Sequence, residues 1–258
     1  MSQKNGRTAQ AGFTLLELMV VLLILSVIIG AVFQQMNVAQ QRLSTEEIKL
    51  DDFQQARDFV DQFFRDINQI GTPNARMFDD SQTASFVPTL STPSTNTWTY
   101  KYINDYRFAA GLVYIGDNEI HFEGSVNGTG TVQSVIYKIN GSGLCQYCMM
   151  RSQVDKTTND PLTGQGTNWG TEVNDIISTP IFKYYQYDGT LIATPQDIST
   201  QAGAQLLASV KTIQINLTIR NPKVMDSKTG QPIETSFEGE VSLNNCSLAA
   251  SSQPMSCF

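Results

Sequence analysis

The 258-residue chain is short of the groups that chemistry needs. It has one histidine, His121, and four cysteines. It has no phosphate-binding P-loop, no GxSxG elbow, no HExxH helix and no dinucleotide fingerprint. A single imidazole limits both triads and metal sites, and acid pairs such as Asp51–Asp52 and Asp79–Asp80 are expected to be solvated faces rather than catalytic dyads. No enzyme, no cofactor and no metal centre is expected. Positive charge is scarce as well: 17 Lys and Arg stand against 24 Asp and Glu, for a net charge of −7. Such a chain is a poor general binder of nucleic-acid phosphate, which leaves only local basic patches for that role. Proline and glycine are absent from residues 34–70, so nothing there stops a helix. Within residues 13–33 the only charged side chain is Glu17.

That run, Phe13 to Phe33, is the long apolar stretch around which the chain is organised. Its 21 residues match the roughly 20 that a helix needs to cross a hydrocarbon core. Glu17 stands near its start, where a bare carboxylate in lipid costs several kcal/mol or protonates. Two readings fit: the side chain snorkels to the nearby interface, or it meets a positive charge, such as the free amine of a neighbouring chain. Upstream lies a polar leader, MSQKNGRTAQAG, with Lys4 and Arg7 and no acid. Its charge is expected to hold it in the cytoplasm with the rest of the chain outside. An ordinary secretory signal loses its apolar region at cleavage. Here the small residue Gly12 precedes the run, so a cut after it would keep the whole span. Without Lys4 and Arg7 the remainder carries 15 basic and 24 acidic side chains, near −9.

The string Gly12–Phe13–Thr14–Leu15–Leu16–Glu17, with its apolar tail through Phe33, resembles the class III signal of type IV pilins and type II secretion pseudopilins. The resemblance implies that a prepilin peptidase cuts between Gly12 and Phe13, that Phe13 is then N-methylated, and that Glu17 is the assembly glutamate. It implies as partners other pilins or pseudopilins, that peptidase, an inner-membrane assembly platform and membrane lipid. It also implies a single-pass location in the bacterial inner membrane, with the domain in the periplasm, followed by entry into a filament.

Beyond Phe33 the chain turns polar but stays helix-friendly. Phe53, Ala56, Val60, Phe63, Ile67 and Ile70 recur at steps of three and four, one stripe along a helix. Asp51, Asp52, Arg57, Asp58, Asp61, Arg65 and Asp66 are expected on the other face, with Asp61 and Arg65 as an i,i+4 pair. Gly71 and Pro73 form a stop signal. One helix from about Phe13 to Ile70 is therefore expected, with Gly30 its weakest point. Residues 72–99, rich in Ser, Thr, Asn and Pro, read as a connector.

From Trp98 on the pattern is β. Leu112–Ile115 and Glu119–Glu123 flank the turn Gly116–Asp117–Asn118, and Thr131–Ile139 leads into Asn140–Gly141, a hairpin signal followed by a strand over Leu144–Arg151. Asp155–Thr171 reads as an exposed loop whose acids do not match a calcium-binding EF-hand. Ile181–Tyr187, the turn Asp188–Gly189, an apolar run Leu206–Val210 read with the strands, and Lys211–Arg220 follow. Ile213, Ile215, Leu217 and Ile219 line one face of that last strand. Asp226–Gly230 is a turn and Thr235–Leu243 the final strand. The expected fold is α+β: a long N-terminal helix, first transmembrane and then amphipathic, packed on an antiparallel β-sheet domain. The expected divisions are residues 1–12 as leader, 13–33 as membrane and filament helix, 34–71 as its amphipathic continuation and 72–258 as the β-rich domain.

The cysteines Cys145, Cys148, Cys246 and Cys257 lie in that domain. Cys145 and Cys148 have the spacing of half a zinc site or a redox pair, but no second ligand pair and no thioredoxin-like context accompany them. Structural disulfides are the expectation outside the cytoplasm. Three pairings exist; the local one, Cys145–Cys148 with Cys246–Cys257, is preferred and needs a turn or bulge at the first pair, because i and i+3 on one strand point to opposite faces.

The segments YYQYDGTLI, LASVKTIQINLTIR and TSFEGEVSLNN resemble the C-terminal half of J-type minor pseudopilins and W-type minor pilins. The apolar helix lacks the kinking proline usual in major pilins, and the chain is larger than most of them. These features point to a minor subunit at the tip or in priming, with a filament-tip binding module for adhesion, DNA or secretion substrates as the alternative.

Overall fold

The computed structural model describes residues 14–73, 106–141, 147–157, 161–162, 166–226 and 229–243. The connector expected over 72–99 and the strand expected at Trp98–Tyr102 lie almost wholly outside them. The chain divides into two compact units, residues 1–48 and 49–258. One element belongs to both: helix α1, Leu15–Ile67, of 53 residues. It runs unbroken through Gly30, although that glycine and its β-branched neighbours are modest helix formers.

In the first unit, every residue of α1 from Leu15 to Ser44 is exposed. Water does not tolerate such an apolar surface, and α1 is long and apolar enough to cross a membrane.

In the second unit, α1 lies on two antiparallel sheets. The larger has six strands in the order β5–β4–β3–β2–β1–β7: β1 Leu112–Ile115, β2 Glu119–Gly124, β3 Gln133–Asn140, β4 Cys148–Asp155, β5 Trp169–Val173 and β7 Gln196–Asp197. The smaller has the order β6–β8–β9: β6 Phe182–Gln186, β8 Val210–Met225 and β9 Pro232–Ser242. A short helix α2, Gln201–Ser209, precedes β8.

The expected stripe packs as expected, with additions. Ala56, Phe59, Val60, Phe63, Ile67 and Ile70 are all buried. Phe63 stacks on Phe182 of the smaller sheet at 5.3 Å and meets Tyr137 of the larger edge-on at 5.4 Å. Phe53 remains partly exposed against Phe237. Burying each such phenylalanine contributes about 1.5–3 kcal/mol. On β8, Ile213, Ile215, Leu217 and Ile219 are buried, with their alternate neighbours outward.

Three expectations need correction. The helix ends at Ile67, and Ile70 already bridges Gly124 of β2; Gly71, at φ 70°, donates its N–H to the Glu123 carbonyl at 2.9 Å. The strand expected at Leu144–Arg151 is described from Cys148, with Tyr147 before it in a turn whose N–H donates to the Asn140 carbonyl at 2.9 Å; Leu144–Gln146 lie outside the described residues. Leu206–Ser209 is helical: Thr200 caps α2 by accepting the Gly203 N–H at 3.0 Å, and alanine and leucine follow. The loop expected over 155–171 ends in strand β5, and Lys156 at its start is buried.

Candidate functional site: the helix start and the buried polar cluster

The helix start is built by Thr14. Its hydroxyl accepts the Glu17 N–H at 3.3 Å, and its carbonyl accepts the N–H groups of Glu17 and Leu18 at 3.1 and 3.2 Å. Thr14-Leu15-Leu16-Glu17 has the spacing of a capping box, with Thr14 as cap and Glu17 three residues on. The backbone half of that box is formed. The Thr-x-x-Glu spacing before an apolar run is the sequence signal for this role of Thr14. A carboxylate in the first turn also suits the positive end of the helix dipole. Glu17 is exposed on the helix surface. Gly12 and Phe13 lie outside the described residues, as do Cys145, Cys246 and Cys257.

Cys148 opens β4 fully buried, with its Sγ 3.1 Å from Asn174 Oδ1, and carries no free thiol. Tyr147 just before it has a φ of 63°, a left-handed turn position.

The second polar feature lies inside the sheet domain. Asp66 is 1 % exposed rather than on the solvated face. Its carboxylate receives the Tyr137 hydroxyl at 2.6 Å, Arg151 Nε and Nη2 at 2.9 and 2.7 Å, and the Gln62 amide at 2.7 Å. Burial, with the Asp66 charge, pushes the Tyr137 phenol well above its usual range. Burial works against the charge of Arg151, but Tyr137 and Asp66 outweigh it and raise its pKa. On the helix surface, Asp61 pairs back with Arg57 at 3.9 Å, while Arg65 donates to Gln62.

On the opposite face of the same sheet, Lys156 meets Glu123 at 2.6 Å with both side chains fully buried. Lys156 also donates to the Phe108 carbonyl at 2.9 Å, and Glu123 accepts the Ala110 N–H at 2.8 Å. His121 shares that face, 2.7 Å from the Ser134 hydroxyl. Burial, with the Lys156 charge, lowers its pKa to about 3. These groups tie elements together: Asp66 joins α1 to β3 and β4, and Lys156 joins the end of β4 to β2 and the segment before β1. Among the described residues no three His, Cys, Asp or Glu side chains converge as a metal site.

The model of the prokaryotic N-terminal methylation motif matches residues 7–33. No curated protein and no solved structure matches the chain. A methylation motif that opens a long apolar helix, with that helix continuing onto antiparallel sheet, is the arrangement of a type IV pilin-like protein. The motif implies processing by a prepilin peptidase, inner-membrane anchoring, and assembly with other pilins into a type IV pilus or a type II secretion-like filament. Proteins of this kind are structural and not enzymes.

Proposed function

We propose that the chain is a minor pilin or pseudopilin of the J- or W-type, placed at the tip of a filament or in its priming complex. The observation that carries this reading is the methylation motif over residues 7–33, set on a helix whose apolar surface is exposed from Leu15 onward. The leader, residues 1–12, stays in the cytoplasm and is cut off after Gly12. Phe13 becomes the methylated N-terminus, Thr14 caps the helix from the second position, and residues 72–258 form the periplasmic domain. The assembly platform of the inner membrane then draws the helix into a bundle. There Glu17 is neutralised by the terminal amine of a neighbouring subunit, a pair that contributes register more than net stability. The left-handed turn at Tyr147 supports a local Cys145–Cys148 disulfide, with Cys246–Cys257 holding the C-terminal tail.

The test is Glu17→Val in the native host. The variant is expected to be cleaved, methylated and inserted like the parent but to be lost from sheared filaments. Normal incorporation of the variant contradicts the role given to Glu17.

A further inference from the structure

Strand β9 is long for an edge. Its 11 residues run Pro232–Ser242, and β8 lies along one side of it. No described strand pairs with the other side. From Ile233 to Ser242 it keeps register with β8 without a bulge. Proteins blunt such edges with short strands, prolines or bulges, because an open row of main-chain groups is ready to pair. On β9 only Pro232, at the first residue, does this.

The two faces of that edge differ. Toward α1 lie Phe237 and Gly239. Phe237 meets Phe53 at 6.2 Å, and the Phe64 ring stands 2.8 Å from where a Cβ on Gly239 would sit. Phe53 is 42 % exposed, and Leu50, one turn before it, 62 %. Toward solvent stand Glu238 and Glu240, both exposed. Their neighbours on β8 are Asn216 and Gln214, and among the described residues no cation pairs with either acid. Glu234, farther along, is already held by Arg220 at 2.7 Å.

A strand added at this edge sets one side chain about 5 Å from each of these positions, on alternate faces. Opposite Glu238 and Glu240 it needs cations. Opposite Phe237 and Gly239 it needs apolar groups, and the bare glycine favours a ring that reaches over it to Phe64. The chain holds no such segment, because no two of its 17 Lys and Arg stand two residues apart. A second copy fails on the same ground. Two β9 strands paired antiparallel about Gly239 would also set Glu238 of each against Glu240 of the other, and like charges directly opposite repel.

We propose that the outer edge of β9, over Phe237–Glu240, takes up an extended segment of a different protein in which two basic residues alternate with two apolar ones. Main-chain hydrogen bonds hold the segment and the alternation selects it. The surface belongs to the sheet domain and does not rest on the assembly role of α1.

The test is fluorescence anisotropy with the detergent-solubilised full chain and a synthetic peptide that alternates lysine with valine and phenylalanine. The peptide is expected to bind and to slow amide hydrogen exchange within residues 235–241. A peptide of the same composition with its lysines in one block is expected to bind about tenfold more weakly. The same loss is expected when the alternating peptide meets the double variant Glu238→Gln with Glu240→Gln, whose changes lie on the solvent face and are expected to leave thermal unfolding as in the parent. No binding by the alternating peptide, equal binding by the block peptide or to the double variant, or slowed exchange only outside β9 would each overturn the proposal. None of these outcomes bears on the processing and assembly read from residues 7–33.

Discussion

His121 is the only imidazole of the chain, and it is held neutral between Ser134 and the charge of Lys156. An exposed histidine in the unfolded chain takes a proton near pH 6.5, whereas the folded one resists until about 3. Over that window the unfolded state binds more protons, so its contribution to stability is complete above about pH 6.5 and falls as the pH drops. The loss is about 1.4 kcal/mol per pH unit, on the order of 5 kcal/mol over the whole window. Thermal unfolding of the detergent-solubilised chain between pH 7 and 4 checks this: His121→Gln is expected to remove that part of the acid slope, and an unchanged slope contradicts it. The Asp66–Arg151 pair carries a second expectation. Arg151→Met leaves a buried carboxylate and is expected to cost about 3–5 kcal/mol, while the double variant Asp66→Leu with Arg151→Met costs less than the sum of the single changes. Additive losses in that double-mutant cycle would mean the two side chains are not coupled. Neither feature was legible in the sequence. Helical spacing put Asp66 with the acids of the polar face, because the partner that draws it inward, Arg151, lies 85 residues away. The same spacing found Ala56, Val60, Phe63 and Ile67 but passed over Phe59, since the buried stripe is wider than one row of three-and-four steps.

At the scale of the element, the strands that show alternation or stand beside a clear turn were readable. β1, β2, β8 and β9 fall where Gly116–Asn118, the row Ile213–Ile219 and Asp226–Gly230 put them. The elements that escaped are those whose form depends on distant partners. β5 exists because β4 offers it an edge, and β7 is two residues long. The apolar run Leu206–Leu207 suits a strand as well as a helix, and only the cap at Thr200 decides. The end of α1 is set by a close approach. Where the chain leaves the helix it crosses β2 at Gly124, and a Cβ there would press into the Gln69 carbonyl, with the carbonyl carbon at 2.8 Å. Gly124→Ala is therefore expected to destabilise the domain by about 1–3 kcal/mol through overpacking against backbone. Denaturant unfolding of this variant measures it, and an unchanged midpoint would show that the crossing has room to spare.

For the whole molecule, one helix serves two environments. From Leu15 to Ser44 its side chains face outward, and from Ala56 to Ile67 one stripe of it is the centre of a core built with two sheets. The sequence announced both halves, the first through an unbroken apolar run and the second through a periodic stripe, because each depends on local composition. The polar ties that hold the domain did not show, because they depend on which strands become neighbours. The account rests on the anchor surviving the removal of the leader. Mass spectrometry of the N-terminus of the protein from its native host tests that most directly. The expected product begins at Phe13, carries one methyl group on its terminal nitrogen and keeps the apolar helix; an intact leader, or a chain that begins beyond Phe33, would contradict the account.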